Sequence, residues 1–210
     1  MDDAPCVRKV EGTGDLDDER NDLVLRQGLD FEEVFQRQPP GIQTFLLQTS
    51  ILERLCGSLC DALTLQEDSQ SVLETLERNN LFLIALDDRR RWYRYHHLFR
   101  DLLKSRFEQA DPDLKALLHR RASFWYSAQH DPDNAIAQAL AAGDFERSAV
   151  LIEEIIPTLD RHNQQALLAG WLDSFPRDFL ASRPWLCVHR AWGYYWTGRR
   201  KLEEEWLQLA

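Results

Sequence analysis

The chain has 210 residues, 44% hydrophobic and 29% charged, and its 25 Lys and Arg against 35 Asp and Glu give a formal charge of −10. That composition supplies a real core and excludes global disorder, while nine Gly and eight Pro exclude collagen-like and low-complexity classes. The negative excess excludes a chain that wraps nucleic acid non-specifically, because phosphate neutralisation supplies that affinity. No run approaches the ~18 apolar residues of a membrane span. The amino terminus is acidic and has no apolar signal region. The expectation is a cytoplasmic protein without membrane contact. Four cysteines, Cys6, Cys56, Cys60 and Cys187, are too few and scattered for a disulfide scaffold. Cys56 and Cys60 stand four apart with no second pair at zinc spacing, so buried free thiols are expected there and no metal site.

In chain order, residues 1–28 read as a disordered acidic tail without helical or strand period. Phe31, Val34 and Phe35 form the stripe of a short helix that Pro39-Pro40 ends, and Pro40 suits the first turn of the next. That helix carries Ile42, Phe45 and Leu46 to about Thr49. Asp68 or Ser69 is the predicted N-cap of a helix over about 70–79, with Val72, Leu73 and Leu76 inward. Leu81–Leu86 is then a six-residue apolar run. Asp87-Asp88-Arg89-Arg90 follows, then Arg91–Tyr95, which together read as a β-hairpin. A helix over about 97–109 places Leu98, Leu102 and Phe107 near one face. Helices followed by a two-stranded hairpin describe a winged-helix domain, assigned to residues 29–109.

Residues 110–210 read as helical throughout. Asp111-Pro112 starts one helix, and Asp131-Pro132 opens another that Gly143 closes. A helix from Asp144 ends at Pro157. Further helices fall near 164–174, 185–197 and 199–210. Antiparallel pairs with small residues at their contacts (Ala139, Ala142, Ala149) point to an α-helical arm and the start of a TPR-like solenoid. The fold class is mainly α. The helical pattern runs on to Ala210, which reads as a piece of a longer protein. Its last helix is expected to leave Leu202, Trp206 and Leu209 as an apolar patch that favours self-association. Trp185, Trp192, Trp196 and Trp206 are read as aromatics that pack helix pairs.

Catalytic signatures are absent: no G-x-x-x-x-G-K-[ST] phosphate loop, no G-x-G-x-x-G, no H-E-x-x-H and no G-x-S-x-G. No catalytic residue is assigned, and an autonomous enzyme is not expected. The informative stretch is Trp92-Tyr-Arg-Tyr-His-His-Leu-Phe-Arg-Asp-Leu-Leu103, where a strand hands over to a helix. A histidine there stands beside helix N–H groups that favour an anion. The alternative is one packed and one solvated histidine.

Phe45–Thr64, the block from Leu81 through W-Y-R-Y-H-H-L-F to Leu103, Leu118-His-Arg-Arg-Ala122 and Ala139-Leu-Ala-Ala-Gly-Asp144 resemble MalT-like regulators. These are LuxR-family transcription activators of the STAND class. The resemblance spans about residues 30–200. It implies a nucleotide-binding core, a winged helix and a helical sensor array joined as a switch, with ADP or ATP and Mg held in the parent protein. The winged helix would close over the nucleotide through a histidine. Tyr95-His96-His97-Leu98 aligns with the class motif methionine-histidine-aspartate, which places His96 at the nucleotide phosphate and puts His97 where the motif has an acid. A protonated His96 would then make closure weaken as pH rises through its folded pKa.

The phosphate loop, the acidic strand that holds Mg and the DNA-reading helix-turn-helix are not in this sequence. The implied partners are therefore the parent's nucleotide-binding domain and a small-molecule inducer of the helical array. DNA would be met only through a carboxy-terminal helix-turn-helix. Two other readings stand beside this one. A stand-alone helical scaffold would bind a partner protein after Asp111. A winged-helix DNA binder would use Arg89, Arg90, Arg91 and Arg94 in the wing, against the acids Glu74 and Glu77 beside Arg78 in its recognition helix.

Overall fold

A computed structural model describes residues 31–210 apart from 110, 162–163 and 197, so the tail read over 1–28 lies outside the described residues. Those residues form twelve helices and one two-stranded antiparallel sheet. The chain divides into two compact units, residues 1–125 and 126–210. Among the described residues no helix is long and apolar enough to cross a membrane.

In the first unit, α1 (Phe31–Gln36) stops short of the two prolines, and Pro40 opens α2 (Pro40–Thr49) at a position whose missing N–H has no helical partner to lose. α1 lies on α5 (His97–Phe107), where Arg106 pairs with Glu32 and its guanidinium stands 4.9 Å from the ring centroid of buried Phe35. α2 packs on both α5 and α3 (Gly57–Thr64). α4 (Ser69–Arg78) crosses so close to α3 that a Cβ on Gly57 would stand 2.8 Å from Gln70 Cβ.

The predicted cap of α4 is corrected in detail. Asp68 holds the capping position with φ +78°, and its side chain makes no cap bond. The Ser69 N–H donates instead to Asp61 Oδ1 at 2.9 Å, an acceptor supplied by α3. The backbone turn at Asp68 aims its own carboxylate elsewhere, and the neighbouring helix satisfies the orphan donor.

β1 (Leu83–Ala85) and β2 (Tyr93–Tyr95) pair with Leu83 opposite Tyr95 and Ala85 opposite Tyr93. On the other edge of β2, Leu55 and Tyr93 exchange both backbone hydrogen bonds at 2.8 Å, adding a third short rung just before α3. The hairpin of the sequence reading is thus present, shortened at both ends. The buried face of α5 differs from the expected one. Phe99, Leu103 and Phe107 are buried, whereas Leu98 is 43% exposed and Leu102 is half-buried. His96, fixed to the sheet, sets the rotational phase of the helix, and the i, i+4, i+8 row from Phe99 faces inward. α6 (Pro112–Ala128) begins as Asp111-Pro112 predicts.

The second unit begins in the last turn of α6. Asp131 caps α7 (Pro132–Ala141), its carboxylate accepting from the Asn134 N–H at 3.2 Å, and Gly143 at φ +67° closes it. α7 packs on α8 (Phe145–Arg161), and Ala135, Ala139 and Ala149 are wholly buried, as small residues at a close helix pair should be. Pro157 does not end α8. It lies inside the helix, which runs on because Ile156 and Leu159 are held in the core.

 Ile156 and Leu159 are 1% and 3% exposed, and burying that stripe outweighs the hydrogen bond Pro157 cannot give to the Glu153 carbonyl.

α9 (Gln165–Leu172), the unread five-residue α10 (Arg177–Ala181), α11 (Pro184–Trp196) and α12 (Arg200–Leu207) complete the unit. α11 packs on α8, α9, α10 and α12, with Gly198 at φ +70° in the turn before α12. Arg183 ties this end to α8 through Glu146 and Glu153. The expected patch at 202–209 is corrected in part: Leu209 is exposed, but Trp206 is buried, with the Arg177 guanidinium 5.6 Å from its ring centroid, and Leu202 is half-buried. The reading of all four tryptophans as packing aromatics is corrected too. It holds for Trp206, while Trp185, Trp192 and Trp196 are 55%, 50% and 66% exposed.

Candidate functional site

The strand-to-helix junction at His96 is built by backbone first. The His96 N–H donates to the Phe82 carbonyl at 2.7 Å, extending the hairpin ladder by one bond, and its own carbonyl accepts from Arg100 at 2.9 Å as the first turn of α5. With φ −56° and ψ 138°, His96 is the N-cap residue of α5, held by a strand on one side and a helix on the other. Phe82 enters β1 at φ +52°, a left-handed conformation that aims its carbonyl at the junction.

Around the junction the side chains are fixed as firmly. Phe99 packs 5.3 Å from Phe82 and edge-on to Tyr95 at 6.0 Å. The Tyr95 hydroxyl and Thr49 Oγ1 are 2.7 Å apart, and Thr49 also lies 2.7 Å from the Phe45 carbonyl. A carbonyl can only accept, so the single Thr49 proton goes to Phe45 and Tyr95 donates to Thr49. Burial pushes the Tyr95 phenol far above its ordinary range, which keeps it a donor at any physiological pH.

His96 is fully buried and His97 is exposed, with ring centroids 4.3 Å apart and planes inclined by 34°. The sequence thus places two imidazoles together at a helix amino terminus, one inside the fold and one facing solvent. The wing turn is clamped separately. Asp87 accepts from the N–H groups of Arg89, Arg91 and Trp92, the last at 2.8 Å. Arg90 reaches back to α4, its Nε 3.0 Å from both Glu77 oxygens, and Gln70 Nε2 donates to its carbonyl at 2.9 Å. Glu77 holds the Arg90 guanidinium still more firmly protonated than usual. Sequence reasoning counted Glu77 only as a charge that repels phosphate, and no local signal announced that it engages a wing arginine thirteen residues on.

Residues 31–115 match the family of the MalT winged helix domain. Residues 31–115 form a MalT-like winged helix domain. A longer stretch of 161 residues, 77% of the chain, is 34% identical to the serine/threonine-protein kinase PknK of Mycobacterium tuberculosis and of Mycobacterium bovis. The alignment spans about 14% of the length of these relatives. In this MalT-like domain, Leu55, β1 and β2 supply the small sheet, α4 stands behind the wing, and α5 leaves the sheet at His96.

The remaining candidates sort by burial. Cys56, Cys60 and Cys187 are buried, and burial pushes the Cys60 and Cys187 thiols above the ordinary range, so those two are poor nucleophiles. Cys6 lies outside the described residues. Among the described residues no three His, Cys, Asp or Glu side chains gather as metal ligands would.

Proposed function

We propose that the chain is the regulatory segment of a MalT-like STAND protein. The winged helix closes over ADP or ATP on a nucleotide-binding domain of the parent protein, and a TPR-like array after residue 110 relays inducer binding to it. The observation that carries this reading is the match of residues 31–115 to the MalT winged helix, with the His96–His97 pair at the amino terminus of α5. On this reading the segment is not an enzyme, and Mg-dependent nucleotide chemistry belongs to a phosphate loop and acidic strand that this sequence does not contain. Promoter binding belongs to a helix-turn-helix that is likewise not in it.

The mycobacterial relatives bear the name of serine/threonine-protein kinases and share this stretch. That supports a role in switching that does not depend on which output domain the parent carries. The proposed contact is charge-assisted: protonated His96 donates to a nucleotide phosphate at the positive end of α5. Because His96 is buried, closure must uncover its ring. Exposed His97 is the competing donor.

The test is ADP retention by the full-length parent carrying His96→Ala or His97→Ala. A charge-assisted bond of about 1.5–3 kcal/mol corresponds to roughly 10- to 100-fold weaker retention in His96→Ala, with His97→Ala close to wild type. Normal retention by His96→Ala would remove His96 from the mechanism. Loss confined to His97→Ala would move the contact to His97.

A further inference from the structure

In the second unit, α11 carries Trp185, Val188, His189, Trp192 and Trp196 at i, i+3, i+4, i+7 and i+11, one continuous stripe. The stripe faces Asp160 near the end of α8 and Gln165 at the start of α9 across a cleft of about 420 Å³. The rings do not stack flat. Trp185 meets His189 at 77° and 4.9 Å, and Trp192 meets Trp196 at 76° and 6.1 Å, so faces and edges alternate along the wall. Gln165 Nε2 donates to Asp160 Oδ1 at 2.6 Å and so fixes that carboxylate at the rim.

Among the described residues, Asp160 is the only formally charged one lining this cleft. Burial lowers the basicity of His189 against a smaller opposing pull from Asp160, so the imidazole brings no positive charge at neutral pH. Its Nε2 is buried and has no hydrogen-bond partner among the described residues. Elsewhere in this unit arginines cover aromatic rings: Arg190 over Tyr194, Arg200 over Tyr195 and Arg177 over Trp206. Among the described residues no cation covers Trp185, Trp192 or Trp196. Arg190 is bound to Asp173, and Arg199 lines the neighbouring cleft beyond Gln165 and His189.

We infer that this cleft is a binding site for a small alkylammonium cation, held between the tryptophan faces and the Asp160 carboxylate. Tryptophan faces beside one acid, with no opposing cation among the described lining residues, match the chemistry by which proteins hold quaternary ammonium groups. The inference stands on the second unit alone and does not rest on the nucleotide reading.

The experiment titrates the 210-residue chain with choline at constant ionic strength, read by calorimetry and tryptophan fluorescence. The uncharged isostere 3,3-dimethylbutan-1-ol is the control. Expected is saturable choline binding in the millimolar range, with the isostere at least tenfold weaker. Asp160→Asn and Trp192→Ala should each weaken choline about tenfold while circular dichroism and the unfolding midpoint stay unchanged. Both residues are exposed, so both variants should fold. Failure of choline to saturate, or equal binding of the isostere, would overturn the inference. So would a dimer that Trp192→Ala dissociates, which would give the cleft to a second copy of the chain. Much tighter binding of a trimethyllysine peptide than of choline would overturn the small-molecule assignment and place the cation on a protein partner.

Discussion

Gly57 and Tyr95 show how single residues hold the domain that carries His96. At Gly57 a Cβ would stand 2.8 Å from Gln70 Cβ and 3.1 Å from its backbone, so the α3–α4 crossing needs the bare hydrogen. Gly57→Ala should destabilise the first unit by about 1–3 kcal/mol, seen as a lower urea midpoint with unchanged slope. Tyr95→Phe removes a buried donor yet leaves Thr49 bonded to the Phe45 carbonyl. Its expected cost is about 1 kcal/mol, near the low end for a buried hydrogen bond, because no donor is stranded. A loss of more than twice that figure would show that Tyr95 positions the sheet as well as Thr49. The pair His96–His97 was legible as a candidate through its place between a strand and a helix and through the resemblance to MalT-like regulators. Which of the two is buried was not legible, because the ladder bond to Phe82 that fixes the answer comes from fourteen residues upstream.

At the scale of elements, the sequence reading succeeded where a pattern is long or sharply punctuated. Pro39-Pro40, Asp131-Pro132 and Gly143 each mark a boundary that the structure keeps. The hairpin was legible from an apolar run, a charged turn and an aromatic run. It failed where the deciding partner is remote. α10 has five residues, too few for a helical period to show. The inward face of α5 follows from its junction with the sheet, which leaves Leu98 exposed. Pro157 was read as a stop, but the buried stripe of α8 carries through it. Pro157 is exposed, so Pro157→Ala should restore the missing helical hydrogen bond and stabilise the second unit by about 1–3 kcal/mol, measured by thermal unfolding. No gain would mean that α8 already bends to accommodate the ring. The aromatic cleft beside α8 was visible in the sequence only as tryptophan density. Whether a helix covers Trp185, Trp192 and Trp196 depends on tertiary packing.

For the whole molecule, the division into residues 1–125 and 126–210 lets each unit be followed separately. Five of the seven tryptophans lie in the second unit, so fluorescence reports mainly on it. Burial holds His189 below the ordinary histidine value of 6.5, so between that value and its folded pKa the unfolded chain binds more protons than the folded one. The stability this confers is complete above 6.5 and is lost as pH falls through the folded pKa. The fluorescence-detected urea midpoint should therefore drop between about pH 7.5 and about pH 5.5, and His189→Gln should flatten that part of the fall. An identical fall in the variant would assign it to carboxylates instead.

On the proposed function the winged helix is the moving part of a nucleotide switch. Hydrogen–deuterium exchange of residues 96–107 in the full-length parent, with ADP and then with ATP and Mg, tests it most directly. Exchange across the His96–α5 junction should be slow with ADP and faster with ATP, while the α3–α4 crossing stays protected in both. Equal exchange at the junction in the two nucleotide states would contradict it.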